Sequence, residues 1–298
     1  MDLDRAKSDA LDGVLDDYAS TLDHRSDPSA SVNLAYAHSL HRRWRTALAM
    51  LPVSPASSVL DVGCGVGILS FELAANLPLT IDAVDIEPGF IDHAQELLRR
   101  LRSGGVVAPE ASIRFAVGDV SALAFPDERF DLVFVRELLQ FLPDPVAAVR
   151  ELLRVLRVGG HLCISDTDDQ LRITWPPMSA ALERLVAGVT AVQHGRGGDR
   201  ETGRKLTTYL RSAGFDIVSV VVLPEAQHRQ VTADDRERAL IVQQLRAART
   251  KVLDAGAMDA ARFDADLDEV ASEEPFEEFR LNARIIVLAR RPDPLAPD

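Results

Sequence analysis

Val59-Leu60-Asp61-Val62-Gly63-Cys64-Gly65-Val66-Gly67-Ile68 sets a short apolar run against a glycine cluster, and a helix-like pattern begins at Ile68. Strand, glycine turn and helix start in that order make a loop at the carboxyl end of a parallel strand. Glycine permits the tight turn and lets a ligand approach the backbone, while the helix start offers free N–H groups and a partial positive charge. A dinucleotide fingerprint needs G-x-G-x-x-G, whereas position 68 is isoleucine and the pattern here is G-x-G-x-G. A pyrophosphate is therefore not the favoured guest.

Outward from this loop, Ser58 to Asp168 alternates short β-branched runs with helix-like stretches, the mark of parallel strands joined by crossover helices. Strands are expected at Val59–Val62, Thr80–Asp85, Ile113–Val117, Leu132–Val135 and His161–Ser165, and later at Ile217–Leu223 and Ala283–Leu288. Between them Ile68–Leu77, Glu87–Leu101 and Pro145–Leu156 carry apolar residues at three- and four-residue spacing, as helices on a sheet must. Pro143 and Pro145 flank Asp144, a helix start, and Gly159-Gly160 reads as the stop.

Three further signals follow the glycine loop. Ala83-Val84-Asp85-Ile86 ends a strand in a carboxylate about 20 residues beyond the loop, where a ribose can use it as an acceptor for both hydroxyls. Val117-Gly118-Asp119-Val120 ends the next strand, and Phe130-Asp131-Leu132-Val133-Phe134-Val135-Arg136-Glu137 the one after, leading into Leu142-Pro143-Asp144-Pro145 and Val158-Gly159-Gly160. In this order the motifs resemble those of the class I S-adenosylmethionine-dependent methyltransferases, in particular the type 11-like enzymes that act on small molecules. Asp61, Gly63, Gly65 and Gly67 fit the family's first motif position by position.

The resemblance implies a Rossmann-like, doubly wound α/β sheet of seven strands, mostly parallel with the last antiparallel, and helical cap insertions. It implies S-adenosyl-L-methionine as cofactor. Asp85 would hold the ribose, Ile86 would pack on the adenine, Asp119 would accept from its amino group with Val120 beside it, and Gly63, Cys64, Gly65 and Gly67 would line the loop. Asp61 would face the ammonium of the methionine moiety, directly or through water, or bond to the turn that follows. Arg136 would contact the cofactor carboxylate, or pair with Glu137 or Glu151. Two positions depart from the pattern: Phe141 stands where the family often has histidine, excluding a base there, and Val158 where it often has proline.

Beyond the core, residues 1–57 read as an N-terminal helical cap with a helical stretch from Val32 to Leu51, carrying Tyr18, Tyr36, His38 and His41. The core spans 58–223 with cap elements near 170–202, a helical cap insertion covers 224–280, and 281–298 hold the last strand and tail. Trp175, Phe276 and Phe279 are candidates for an apolar acceptor lining. His194, beside Gly195-Arg196-Gly197-Gly198, is the catalytic candidate, because imidazole takes a proton near neutral pH. Asp166, Asp168 and Asp169 follow a strand end without recognisable spacing of further oxygen ligands, so no metal is expected.

Composition narrows the function classes. Forty-seven per cent hydrophobic and 27% charged residues in a chain of 298 allow a large core. Two cysteines are too few for a disulfide framework or a cysteine-based zinc site, and the acidic first residues lack the apolar centre of a secretory signal, so the cytoplasm is the expected compartment. A net charge of −13 has the wrong sign for neutralising phosphates, so neither nucleic acid nor anionic membrane is an expected partner. The expected partner is a small-molecule acceptor; a homodimer is left open. The expected reaction is methyl transfer to that acceptor, as in secondary metabolism. Its rivals are an enzyme that uses the same cofactor non-reactively in a rearrangement or cyclisation, and a noncatalytic partner subunit.

Overall fold

A computed structural model of the chain describes residues 5–21, 51–232 and 234–293. Its described elements, in chain order, are α1 (Arg5–Thr21), β1 (Ser58–Val62), α2 (Ile68–Asn76), β2 (Thr80–Asp85), α3 (Pro88–Ser103), β3 (Ser112–Val117), β4 (Phe130–Arg136), α4 (Pro145–Val155) and β5 (Leu156–Asp166). There follow β6 (Ile173–Trp175), α5 (Ala180–Gly195), α6 (Leu206–Ala213), β7 (Asp216–Val231), α7 (Arg236–Asp254), α8 (Ala260–Ala271) and β8 (Phe276–Arg290). The stretch from Val32 to Met50, with Tyr36, His38 and His41, lies outside the described residues.

One sheet runs through the molecule in the order β3-β2-β1-β4-β5-β8, with β1 to β5 parallel. Leu60, Val62, Leu132, Val133, Phe134 and Val135 are buried on both faces of the central strands, which is why those strands read as unbroken apolar runs. The chain leaves β1 toward β2 on one side and returns to β4 on the other. This topological switch opens a crevice at the carboxyl ends of β1 and β4, where doubly wound sheets bind ligands. Every residue of α2 from Ile68 to Ala75 is buried, because the sheet covers one side and α1 the other. Leu11, Leu15 and Tyr18 of α1 are buried there, with Ser8 Oγ donating to Glu72 at 2.7 Å.

Three findings differ from the sequence expectation. Among the described residues the sheet has eight strands, the additional one being the three-residue β6. The hairpin arms are far longer than expected: β7 pairs antiparallel with β8 from Asp216 to Val231, so residues 224–231 and 276–280 are strand and only α7 and α8 form the helical insertion. β7 is an edge strand, and there Pro224 is tolerated, since its missing N–H breaks no ladder between two neighbours. Gly159-Gly160 does not end a helix. Instead α4 stops at Val155, and the register with β4 jumps from Phe130–Leu156 to Leu132–His161, so that both glycines serve an outward loop within β5.

The upper hairpin carries a cap. Ala181 and Leu185 of α5, Val242, Leu245 and Val252 of α7, and Phe263 and Leu267 of α8 form a hydrophobic cluster separate from the two that pack against the sheet. Among the described residues, no helix is long and apolar enough to cross a membrane.

Candidate active site

The glycine loop closes onto the end of β2. Gly63 and Cys64 donate backbone N–H groups to Val84 O at 2.8 and 3.1 Å, and Gly65 N donates to Asp85 Oδ2 at 2.8 Å. Gly67 has φ of 83°, and a Cβ there would lie 2.7 Å from the Phe115 ring, so both its backbone and its space demand glycine. Gly67 is also the N-cap of α2 and supplies no side-chain cap; in the first turn the Ser70 backbone N–H bonds instead to the Asp61 carboxylate. Asp85 Oδ1 accepts from Glu87 N at 3.0 Å, leaving each carboxylate oxygen a further lone pair for hydroxyls. Next to it Ile86 is 67% exposed, an apolar side chain with an open face. Asp119 is exposed and accepts from Ser121 N at 2.8 Å, while Val120 is buried beneath. These residues share one end of the sheet and fit a nucleoside: hydroxyl acceptors and an apolar platform.

Asp61 is 3% exposed and accepts from Ser70 Oγ at 2.8 Å, so it bonds to the helix that follows its turn. Burial pushes its carboxyl up to about 6, against the Ser70 hydrogen bond and the charge of Arg136. Arg136 is half-buried at the end of β4 and acts electrostatically on Asp61. Of the alternative partners for Arg136, Glu151 is held by Arg154 at 2.7 Å and Glu137 pairs with Arg284. Cys64 is buried and its thiol is pushed well up, by burial first and then by the nearby Asp61 and Asp85.

A cavity of about 370 Å³ lies between the cap and the upper hairpin, within the usual size range of small-molecule sites. Leu182, Val186 and Val189 of α5 and Leu240, Ile241 and Leu245 of α7 form its roof at helical spacing. Glu278, Arg280, Asn282 and Arg284 form its floor, at alternate positions of β8. Gln193 lines it, but His194 is exposed on the last turn of α5 and is not among its lining residues. Trp175 is 70% exposed and Phe279 37%; they pair on β6 and β8 outside the cavity.

Gln140, Gln193 and Arg200, which the sequence reading passed over, join Glu137 and Asp166 in tying this cavity to the glycine-loop end of the sheet. Glu137 follows β4 with φ of 53°, a left-handed conformation that costs a non-glycine residue about 1–2 kcal/mol. Its neighbour Leu138 packs where a Cβ on Gly63 would fall, 3.2 Å away. Gln140 is buried; its Oε1 accepts from Arg200 Nη1 at 2.7 Å and its backbone oxygen from Gln193 Nε2 at 2.8 Å. Its N–H donates to Asp166, whose carboxyl burial pushes up to about 7. Asp168 is held by Arg204 and Asp169 by Arg200, each through two hydrogen bonds, so both strand-end carboxylates are engaged with arginine. Gln140 falls between the motif segments Phe130–Glu137 and Leu142–Pro145, where no residue type or spacing distinguishes a hub from a helix cap.

Comparison with known proteins locates the chain. Residues 60–164 match the family described as methyltransferase domain. The chain is similar to 2-methyl-6-phytyl-1,4-hydroquinone methyltransferase of Synechocystis sp., at 34% identity over 163 residues, 52% of this chain and 47% of that protein. It spans half or less of the length of the curated relatives it matches. Among solved structures, it shares its fold with the (4+2)-cyclase SpnF, with a TM-score of 0.52 at 20% identity, covering 85% of this chain and 80% of that one. It shares it also with Haemonchus contortus phosphoethanolamine N-methyltransferase 2 in complex with phosphomonomethylethanolamine and S-adenosylhomocysteine, with a TM-score of 0.51 at 17% identity, covering 91% and 59%.

Proposed function

We propose that this chain, which carries a class I S-adenosylmethionine-dependent methyltransferase domain over residues 60–164, transfers the methyl group of S-adenosylmethionine to a small organic acceptor held under the cap. The observation that carries this reading is the meeting of the G-x-G-x-G loop, the Asp85 carboxylate and the open face of Ile86 at one sheet end, with the cavity of about 370 Å³ beside the ends of β4 and β5. When bound, the cofactor supplies an electrophilic methyl, whose bond to sulfur breaks with its electron pair staying on sulfur as the acceptor's lone pair forms the new bond. The protein's work is then to align and to exclude water. Asp85 takes the ribose hydroxyls, and Ile86 with Asp119 and Val120 takes the adenine. The loop at Gly63–Gly67, with Cys64, Asp61 and Arg136, takes the methionine end. The roof of α5 and α7 shields the acceptor, and Glu137 with Arg284 fixes the floor against the end of β4.

The net charge of −13 supports an acceptor that is neither nucleic acid nor anionic membrane, and the two buried free cysteines, Cys64 and Cys163, support a reducing compartment such as the cytoplasm. On this reading 58–223 and the end of β8 form the core, and α5, α7 and α8 the acceptor cap. The test is to incubate the protein with S-adenosylmethionine carrying a labelled methyl and an extract of small molecules. Mass spectrometry should find S-adenosylhomocysteine together with a labelled product. Cofactor binding without S-adenosylhomocysteine, while the extract is nevertheless converted, would instead favour a non-reactive use of the cofactor.

A further inference from the structure

The cavity walls hold four carboxylates, Asp168, Asp169, Glu237 and Glu278, and four arginines, Arg172, Arg200, Arg280 and Arg284. Their charges are spent on one another or on immediate neighbours. Arg200 is clamped by Asp169 at 2.8 and 2.9 Å, Arg280 pairs with Glu237, and Arg284 with Glu137. Asp168 is held by Arg204 and Glu278 by Arg229 at 2.9 Å. Arg172 alone has no ion pair among the described residues; it is exposed at the cavity mouth, where water screens it. Inward of Arg172, a phosphate or carboxylate would meet arginines whose charge a carboxylate already balances, and an ammonium would have to displace an arginine from its carboxylate. Breaking one member out of such a pair leaves an uncompensated charge away from water, which is costly.

Two amide side chains tell the opposite story. Asn282 on the floor and Gln244 on α7 line the cavity, half-buried, and neither makes a side-chain hydrogen bond among the described residues. Each primary amide offers both donors and acceptors, the combination that reads hydroxyl and carbonyl groups without charge. Above them the roof is aliphatic, with Leu182, Val186, Ile241 and Leu245. We propose that this cavity selects a neutral, oxygenated acceptor with an apolar body, whose hydroxyl or carbonyl groups are read by Asn282 and Gln244, and that it rejects phosphorylated and ammonium-bearing acceptors. The inference rests on the methyltransferase reading above and adds the class of acceptor to it. Asn282 and Gln244 are specificity residues; they have no part in the cofactor site.

The test uses the full chain saturated with S-adenosylhomocysteine, whose own binding is measured first by calorimetry. Trimethylhydroquinone, kept anaerobic, and naringenin serve as neutral oxygenated probes, phosphoethanolamine and citrate as anionic ones, and histamine as a cationic one. At least one neutral probe should bind, and the charged probes should bind at least tenfold more weakly. Asn282→Ala and Gln244→Ala should each weaken the neutral probe about tenfold, the effect of one hydrogen bond, and leave S-adenosylhomocysteine binding unchanged. Val186→Asp, which puts a charge in the roof, should abolish probe binding with the cofactor site intact. Tighter binding of phosphoethanolamine, citrate or histamine overturns the inference, as does failure of both neutral probes, or neutral binding indifferent to both amide variants. Each of those leaves the methyltransferase reading standing, whereas absence of S-adenosylhomocysteine binding in the wild-type chain defeats that reading itself.

Discussion

Asp85 has two tasks at the end of β2. It pins the glycine loop through Gly65 N at 2.8 Å and the start of α3 through Glu87 N at 3.0 Å, and it presents its remaining lone pairs to the expected ribose. Asp85→Ala should therefore lower S-adenosylhomocysteine affinity by one to two decades, the loss of roughly 1.5–3 kcal/mol from hydrogen bonds to a charged group, with circular dichroism unchanged. Asp166 makes a different prediction. Its carboxyl, raised to about 7 by burial, is neutral in the folded chain near pH 5 but already ionised in the unfolded one. The native state binds the extra proton there, so this group's contribution to stability is fully present below about pH 4 and is lost as pH rises through about 7. Relative to wild type, Asp166→Asn should thus gain roughly 1–3 kcal/mol between about pH 5 and pH 8.5, read as a melting-temperature gap that moves by several degrees. A gap constant across that range would mean that Asp166 is ionised throughout. At this scale the meeting of the glycine loop with Asp85, Ile86 and Asp119 was legible because each sits in a contiguous motif at a strand end. Gln140, Arg200 and Arg284 were not, because the partners that define them, Arg200 and Gln193 for Gln140, Asp169 for Arg200 and Glu137 for Arg284, are distant in sequence, and nothing local marks an arginine that will face a cavity.

The elements divide into a sheet that holds the glycine loop and a cap that roofs the cavity of about 370 Å³. Phe263 is fully buried in the cap cluster and remote from the two sheet clusters. Phe263→Ala should cost about 3–5 kcal/mol locally. Hydrogen exchange should show faster exchange in α5, α7 and α8 with β1, β2 and β4 unchanged. S-adenosylhomocysteine affinity should stay within about twofold while acceptor turnover is lost; equal loss of protection in cap and sheet would show that the cap is not a separate unit. Helices α2, α3 and α4 were readable from their period, since each packs one or both faces on the sheet. The hairpin extension was not, because Pro224 to Gln230 contains few apolar residues, and a two-sided polar strand lacks the alternation of buried and exposed residue types that marks one. Only its pairing with Phe276–Ala283 makes it a strand.

In the whole molecule, the topological switch between β1 and β4 puts the glycine loop and the Arg136–Gln140 loop side by side, and the hairpin swings the cap over the next stretch of the same sheet end. On the proposed function one chain direction would serve both a nucleoside and an acceptor, because the carboxyl ends of parallel strands all emerge together. The sequence order of motifs was enough to bring the glycine loop, Asp85, Ile86 and Asp119 to one end of the sheet. The acceptor half depends on how α5, α7 and β8 close around a cavity, which composition does not encode. On the proposed function the loop is shaped for a sulfur nucleoside and not for a pyrophosphate. Titration calorimetry of the wild-type chain with S-adenosylhomocysteine and with NAD, repeated on Asp85→Ala, tests it most directly. S-adenosylhomocysteine should bind the wild type at least a hundredfold more tightly than NAD and lose one to two decades in the variant. NAD binding as tightly as S-adenosylhomocysteine, or an unchanged dissociation constant in a folded Asp85→Ala, would contradict the account.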